Sequence, residues 1–302
     1  MQPKSEYLSS LTALRGIAAL LVVVYHFSKI VLDDELLPLS QSSFVQKSYL
    51  MVDFFFILSG FIMAYVYGDW FEKKFSGKDF RRFFVARFAR LYPLHLFTLG
   101  WCIVLKAMLH FSGVMPGLSP KIQGMFLLEA IPVHLLLLNS FVPDAFLTFN
   151  IPSWSVSAEW YTYLVFPILA WIAARQAWGR KLLFVALLYV AYWGIIQFAG
   201  HNYDLNVTNF GGVSRCIVGF CMGMITFAAF ARLRQWPGMQ HGGWLAGTGI
   251  FILAGLHLGL NDIWMVAAFP LLIFLAARDK GKVAQLFNRP LFQTIGERSY
   301  SI

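Results

Sequence analysis

Residues 11–27, LTALRGIAALLVVVYHF, form an almost wholly apolar stretch that holds one arginine, Arg15, and one histidine, His26. Eleven residues of α-helix rise about 16 Å, roughly half the hydrocarbon thickness of a bilayer, and return to nearly the same direction. A helix formed by this stretch therefore carries both side chains on one face, at different depths. Ionisable side chains inside a membrane usually face the protein interior and mark a functional path.

The rest of the chain has the composition of a membrane protein. Of its 302 residues, 58% are hydrophobic and 13% are charged, whereas about 25% of residues are charged in a soluble domain. Apolar runs of about 17 to 22 residues recur and are long enough to span a bilayer. They are continuous rather than alternating, which excludes a β-barrel pattern. The sequence therefore predicts an all-α fold, a polytopic transmembrane helical bundle, as a single domain over residues 1–302.

The formal net charge of +9 does not indicate nucleic acid as a partner. The positive charges fall in short segments between the apolar runs, as the orientation of a membrane protein requires. We therefore predict the lipid bilayer, and no nucleic acid, as a partner. The cysteines form no CxxC pair, which predicts no metal site and no disulfide framework; they are Cys102, Cys216 and Cys221.

The segment from residue 72 to residue 90 carries the strongest orientation signal and is interpreted as a loop. Only Glu72 and Asp79 offset its basic residues, which are Lys73, Lys74, Lys78, Arg81, Arg82, Arg87 and Arg90. Cytoplasmic loops carry an excess of lysine and arginine. The pattern predicts that this loop, and the N-terminus two crossings earlier, lie in the cytoplasm.

Eight apolar segments are predicted to cross the membrane completely. They are residues 11–31, 48–68, 91–113, 152–174, 182–199, 211–231, 244–259 and 263–277. Residues 122–141 are interpreted as a re-entrant or interfacial helix, because the basic residues from Arg175 onward then lie inside. A further span begins at residues 296–302, GERSYSI, so we expect the sequence to be truncated at its C-terminus.

Three titratable side chains are predicted at similar depth in the outer half of the membrane: His26, Asp53 and Glu159. A histidine held by a carboxylate is suited to act as a general base toward a hydroxyl group. The alternative is that each side chain only bonds to a neighbouring helix.

Three arginines are predicted near the cytoplasmic face: Arg15, Arg87 and Arg90. Arg87 and Arg90 stand three residues apart on one helix. Guanidinium groups bind phosphates through paired N–H donors, so these residues are candidates for binding a phosphorylated cofactor. The alternative is an ordinary positive flank of a membrane span, which is our interpretation of Arg81 and Arg82.

Two further motifs are candidates for binding substrate. A glycine inside a span permits close approach of a ligand or of another helix, and an aromatic residue among serines suits a sugar or, equally, an interfacial aromatic belt. The motifs are Ser59-Gly60-Phe61 and the group Ser153, Trp154 and Ser155.

In order, four segments resemble the signatures of the integral-membrane acyltransferase family 3. They are residues 11–27 quoted above, 51–67 (MVDFFFILSGFIMAYVY), 81–97 (RRFFVARFARLYPLHLF) and 152–167 (PSWSVSAEWYTYLVFP). The terminal IGERSYSI, residues 295–302, resembles the next segment of that family. The resemblance extends over essentially the whole chain.

This resemblance implies an O-acyltransferase of the bacterial inner membrane. It implies about ten spans, of which the last one or two are missing here, an acyl-CoA donor (usually acetyl-CoA) on the cytoplasmic side, and a hydroxyl acceptor on a cell-surface glycan or a related molecule. It also implies roles for individual residues. Arg15 and His26 match the essential pair of the family, Arg87 and Arg90 its RxxR pair, residues 59–61 its SGF motif, and Glu159 its serine-rich segment.

The hypothesis is that the phosphates of acyl-CoA bind Arg87, Arg90 and Arg15, and that the pantetheine arm carries the thioester to His26. Oriented by Glu159 or Asp53, His26 then either deprotonates the acceptor hydroxyl or takes part in relaying the acyl group. The alternatives are a transporter or flippase for a glycan intermediate, an acyltransferase for lipid or protein hydroxyls, and a structural membrane subunit.

Overall fold

The computed structural model describes residues 8–30, 42–72, 76–117, 123–124, 126–142, 148–198, 205–208, 210–233 and 242–299. These residues form α-helices and short 3-10 turns, with no strand among them. The predicted all-α fold is therefore confirmed. Some residues that carry predicted features lie outside the described residues: Lys73 and Lys74, and the last three residues of GERSYSI, 300–302.

The α-helices are numbered here in chain order. They are α1 Ser9–Ile30, α2 Ser43–Gln46, α3 Met51–Glu72, α4 Gly77–Phe111, α5 Ile131–Leu135, α6 Trp154–Arg175, α7 Trp178–Phe198, α8 Phe210–Arg232, α9 Gly242–His257, α10 Asp262–Arg278, α11 Lys282–Phe287 and α12 Pro290–Arg298.

Six helical segments of the described chain are long and apolar enough to cross a membrane. They are Ser9–Lys29, Ser43–Glu72, Gly77–Phe111, Ile151–Arg175, Trp178–Phe198 and Gly211–Arg232. The predicted spans at 244–259 and 263–277 form the shorter helices α9 and α10, of 16 and 17 residues. The protein is a multi-pass membrane protein.

Helix α4 begins earlier than the sequence analysis predicted. It is 35 residues long and starts at Gly77, so the prediction of a loop through residue 90 is wrong from residue 77 onward. Lysine, arginine and alanine are good helix formers. The charged residues show where the part of the helix inside the lipid begins. They do not show where the helix itself begins, and α4 extends beyond the lipid. Arg87 and Arg90 therefore lie inside a continuous helix.

Residues 126–142 do not form the single re-entrant or interfacial helix that was predicted. The chain makes a 3-10 turn at Leu128–Ala130, the short helix α5 and a second 3-10 turn at Asn139–Phe141. Leu137, between α5 and the second turn, has a left-handed backbone with φ of 54°. This conformation is uncommon for a residue other than glycine, and it interrupts the helix.

The chain divides into two compact units. The first unit comprises residues 1–66, 177–206 and 218–302, and the second comprises residues 67–176 and 207–217. In the first unit, α1 packs along α12, and α9 packs against α10. A Cβ atom on Gly16 of α1 would lie 2.7 Å from the backbone nitrogen of Gly296 in α12. The two helices therefore approach with backbone against backbone.

Helix α3 and the part of α8 in the first unit make a second close contact. A Cβ atom on Gly60 would overlap the backbone carbonyl of Phe220, and a Cβ atom on Gly223 would overlap that of Ile57. Phe61 is fully buried and packs edge-on against Phe227. Small residues at helix crossings allow this approach inside a membrane. At Gly60 the neighbour is another helix.

In the second unit, α4 packs against α6. The contact is aromatic, because the fully buried ring of Phe83 lies within 5.3 Å of Phe166 and 5.1 Å of Tyr67, measured between ring centroids. Aromatic pairs at these separations add to the free energy of burial. This contact sets α4 beside the helix that begins in the serine-rich segment.

We predict that Gly60→Ala destabilises the protein. The added Cβ has no room against Phe220, and overpacking of this kind costs about 1–3 kcal/mol of unfolding free energy. The measurement is the thermal unfolding of the detergent-solubilised protein. Gly247→Ala in α9 is the matched control, since a Cβ there meets nothing within 4 Å. A Gly60→Ala variant that unfolds at or above the wild-type temperature would contradict the contact.

Candidate active site

His26 lies near the end of α1 and is half-buried. Its Nδ1 atom is 2.9 Å from the backbone carbonyl of Val22. A carbonyl only accepts hydrogen bonds, so Nδ1 carries the proton and the neutral ring presents its lone pair at Nε2. Among the described residues, Nε2 has no hydrogen-bond partner. The backbone of α1, rather than a carboxylate, holds His26 in the tautomer that a general base needs.

Aromatic side chains connect His26 to a buried carboxylate. The ring of Tyr25 meets the His26 ring edge-on at 5.1 Å and lies 5.9 Å from the ring of Tyr49. The Tyr49 hydroxyl donates a hydrogen bond to Asp262. Asp262 is completely buried and also accepts from the ammonium group of Lys47 at 2.5 Å. The His26 ring thus packs against a set of side chains that is held in place by hydrogen bonds to Asp262; we call this set the Asp262 framework.

Asp262 has no role in the predictions from the sequence, since it lies in the short segment between the predicted spans 244–259 and 263–277. It stands at the start of α10, and the backbone N–H of Leu205 donates to it at 2.8 Å. Its carboxylate therefore joins three separate parts of the chain. The one signal in the sequence was an acidic residue at the edge of an apolar run, with a lysine at the edge of another.

Arg15 is already engaged by the protein. Its Nη2 and Nε atoms donate to the carbonyl of Gly296 at 2.6 and 3.2 Å, and Nε also lies 2.9 Å from the hydroxyl of Ser299. These acceptors are at the C-terminal end of α12, where carbonyls lack helical partners and a cation is favourable. In this arrangement Arg15 stabilises the packing of α12 on α1. Phosphate binding by Arg15 remains a prediction.

The other predicted residues of the first unit are Asp53, Ser59, Gly60 and Phe61. Asp53 is 3% exposed on α3, deep enough that its carboxylate is surrounded by protein. Ser59 is half-buried, while Gly60 and Phe61 pack within the helix contact described above. This geometry supports the helix-packing interpretation of Gly60, and substrate binding by residues 59–61 stays a prediction.

In the second unit, the two arginines of the RxxR pair differ in environment. Arg87 is buried, its Nη2 donates to the Tyr67 hydroxyl at 2.8 Å, and its guanidinium lies 5.0 Å from the centre of the Tyr67 ring. Arg90 is exposed. A cation fixed on an aromatic ring beside a second, accessible cation is a suitable arrangement for binding phosphate groups.

Serine hydroxyls of the serine-rich segment bond within the protein. The Ser153 hydroxyl is 2.7 Å from the Asn139 amide nitrogen, Ser155 donates to the Pro152 carbonyl at 2.9 Å, and Ser157 donates to the Leu137 carbonyl at 2.5 Å. They attach the start of α6 to the turns that precede it. Contact with a sugar by Ser153, Trp154 and Ser155 is therefore still untested.

Glu159 lies on α6, two residues after Ser157, and is half-buried. Its carboxylate accepts a hydrogen bond from the Tyr163 hydroxyl at 2.5 Å. The two residues are separated by one helical turn, so the helix itself orients the carboxylate. Glu159 belongs to the second unit, whereas His26 and Asp53 belong to the first.

Arg215 is a buried cation that the sequence analysis missed. It is 2% exposed on α8, and its guanidinium lies 5.6 Å from the centre of the Trp154 ring. A Cβ atom on Gly212 would lie 3.0 Å from the same ring. A single arginine within an apolar run was the available signal, since ionisable residues inside membranes are rarely without a role.

No group of three or more histidine, cysteine, aspartate or glutamate side chains among the described residues could hold a metal ion. Arg87 and Arg90 stay candidates for binding a charged cofactor, and His26 stays a candidate for proton transfer.

The protein-family comparison gives a match along nearly the whole chain. The family model described as an acyltransferase domain matches residues 8–302. The chain belongs to the integral-membrane acyltransferase family 3. The resemblance drawn from the four sequence motifs is therefore confirmed. No solved structure matches significantly.

Curated members of similar sequence include two named acyltransferases. Acyltransferase MdmB of Streptomyces mycarofaciens is 32% identical over 185 residues, which are 59% of this chain and 44% of MdmB. Peptidoglycan O-acetyltransferase OatA of Listeria monocytogenes is 22% identical over 234 residues, 71% of this chain and 34% of OatA. The chain thus spans less than half the length of either relative.

A third relative, Protein 2 in picA locus of Rhizobium radiobacter, is 34% identical over 185 residues, 60% of this chain and 86% of that protein. Its name states no activity. The family match and the two named acyltransferases therefore carry the functional information.

We predict that Arg15→Lys destabilises the packing of α12 on α1. Lysine keeps the charge but cannot place two nitrogens on the Gly296 carbonyl and the Ser299 hydroxyl together. The expected loss is about 1–3 kcal/mol of unfolding free energy, measured by thermal unfolding in detergent. Arg81→Lys, at an exposed position of α4, is the control. Equal unfolding temperatures for the two variants would show that the Arg15 contacts contribute nothing.

Proposed function

We propose that this protein is a membrane O-acyltransferase that moves an acyl group, usually acetyl, from cytoplasmic acyl-CoA to a hydroxyl of a cell-surface glycan. The observation that carries the proposal is the family match over residues 8–302, together with relatives named acyltransferase and peptidoglycan O-acetyltransferase. The protein then resides in the bacterial inner membrane with its N-terminus in the cytoplasm, where the positive flank of α4 favours it.

His26 is the proposed general base. Its neutral Nε2 takes the proton of the acceptor hydroxyl while the hydroxyl oxygen attacks the thioester carbonyl carbon. The carbon–sulfur bond breaks, and the departing thiolate of CoA receives the proton from the imidazolium. The hydrogen bond from Nδ1 to Val22 supports this role, because it leaves Nε2 as the basic nitrogen of the neutral ring and orients it before reaction.

Arg87 and Arg90 are the proposed binding residues for the phosphates of acyl-CoA. The support is the pairing of a buried guanidinium, held by Tyr67, with an exposed one on the next helical turn. Asp53, in the same unit as His26, is proposed to stabilise the positive charge that develops on His26. Glu159 stays a predicted catalytic residue, and residues 59–61 and 153–155 are proposed to contact the acceptor. A transporter would use similar buried charges, but it would not consume acyl-CoA.

We expect His26→Ala to abolish transfer of label from acetyl-CoA to a glycan fraction in membranes that contain the protein. Loss of a general base typically lowers the rate by 10²- to 10⁴-fold. His110→Ala is the control, since His110 is exposed near the end of α4. Both variants should insert in equal amount. Full transfer by His26→Ala would remove His26 from the reaction, and glycan movement without acyl-CoA consumption would establish a transporter.

We expect Arg87→Ala to raise the KM for acetyl-CoA by about 10- to 100-fold, which corresponds to one lost charged hydrogen-bonding partner. Arg81→Ala on the same helix should leave the KM unchanged, because Arg81 is exposed and was assigned to the positive flank. The measurement is initial rate against acetyl-CoA concentration. An Arg87→Ala variant with unchanged KM and reduced kcat would contradict a phosphate-binding role.

A further inference from the structure

Among the described residues of the second unit, the buried polar atoms that have no hydrogen-bond partner include Nδ1 of His95, Nε2 of His134, Oδ1 of Asn139 and Oγ1 of Thr148. Each residue is at most 4% exposed. Buried polar atoms are nearly always paired, because leaving one unpaired costs free energy. A group of four in one region therefore requires an explanation beyond packing.

These side chains are neighbours. The rings of His95 and His134 are parallel to within 13° with centroids 6.2 Å apart, and Nε2 of His95 donates to the backbone carbonyl of His134 at 2.8 Å. Asn139 Nδ2 lies 2.8 Å from Nδ1 of His134. The ring of Phe149, next to Thr148, meets the His134 ring edge-on at 5.7 Å. The unpaired atoms of His95, His134 and Asn139 thus belong to one polar cluster, and Thr148 is the residue before the ring that packs against it.

The hydrogen bonds already made by these side chains show which of the unpaired atoms are donors and which are acceptors. Burial, and then the nearby imidazole of His95, lowers the pKa of His134 to about 4, so this ring is neutral at physiological pH. Its Nδ1 accepts from Asn139, which leaves Nε2–H as a donor. In a neutral His95, Nε2–H is used on the carbonyl and Nδ1 is an acceptor. With Asn139 Oδ1, the cluster offers one donor and two acceptors, and Thr148 can act either way.

His95, the member of the cluster on α4, lies along the same buried stripe of that helix as Arg87. The buried residues of this helix, Phe83, Arg87, His95 and Leu99, are spaced at multiples of four, with half-buried Leu91 between Arg87 and His95. Eight residues of helix place His95 about 12 Å beyond Arg87. A molecule anchored at Arg87 and extended along this stripe would reach the cluster.

We propose that the cluster of His95, His134, Asn139 and Thr148 binds the pantetheine arm of the acyl donor. This inference rests on the proposed function, in which Arg87 binds the phosphates. The arm carries two amides, each with one donor and one acceptor. An amide carbonyl accepts from Nε2–H of His134, and amide N–H groups donate to Nδ1 of His95 and Oδ1 of Asn139.

Entry of the arm requires side chains of the cluster to move aside, because the four atoms are covered in this structure. Two residues beside the cluster hold left-handed backbone conformations, Leu137 with φ of 54° and Phe149 with φ of 53°. Such conformations are unfavourable for side chains of this size and concentrate at ligand-binding sites. The backbone strain at Leu137 and Phe149 therefore lies beside the proposed ligand site.

Thr148→Val is the sharpest test. It replaces an unpaired buried hydroxyl by a methyl group of the same shape, so the unfolding temperature should stay equal or rise. We expect the affinity of the full-length protein in detergent for CoA to fall about three- to tenfold, the effect of one hydrogen bond. Affinity for adenosine 3′,5′-bisphosphate, which lacks the arm, should not change. His134→Phe should show the same selective loss.

Two variants complete the experiment. Thr226→Val is the matched control, since Thr226 is also buried but its hydroxyl donates to the Met222 carbonyl at 2.8 Å; it should bind both ligands normally. Arg87→Ala should weaken both ligands. If Thr148→Val and His134→Phe bind CoA as the wild type does, or lose both ligands equally, the inference is overturned while the phosphate site stands. If the wild type binds neither ligand, the proposed donor itself is refuted.

Discussion

The apolar surroundings of a membrane protein leave polar side chains only the protein itself as a partner, and this constraint organises the described structure. The guanidinium of Arg15 caps the end of α12, that of Arg87 lies on Tyr67, and the carboxylate of Asp262 joins Lys47, Tyr49 and the backbone at Leu205. Each contact uses an ionisable group to hold separate segments together. Buried charges without such partners would be far too unfavourable to retain.

The same constraint sets the tautomer and the orientation of the His26 ring. An imidazole within an apolar helix bonds to the nearest backbone carbonyl, that of Val22, and this one bond determines which nitrogen is basic. The neighbouring Tyr25 then connects the ring to the Asp262 framework through Tyr49. Orientation of the proposed base therefore comes from helix geometry and aromatic packing, and a carboxylate is left available for other roles.

Buried polar atoms without a hydrogen-bond partner are informative in such a protein, because most buried polar atoms have one. The polar cluster around His134 departs from that rule, while the serines beside it, Ser153 and Ser157, have partners within the protein. The contrast lies within one unit and among similar residue types. Ser153 and Ser157 hold the start of α6 in place, whereas the side chains around His134 have hydrogen-bonding atoms left for a ligand.

The sequence by itself determined the fold class, the family and the approximate positions of the six long apolar helices, because apolar runs, basic flanks and short motifs are local properties. The three-residue spacing of Arg87 and Arg90 indicated one helix, although the charge pattern assigned the same residues to a loop. The sequence-based prediction was wrong about the loop through residue 90 and about a single helix at 122–141, since hydropathy does not detect helix ends or short turns. Only the tertiary structure decided what the polar residues touch. Arg15 meets a carbonyl 281 positions away, and Arg215 meets Trp154 across separate helices. Contacts at such separations depend on helix packing, which no local pattern encodes.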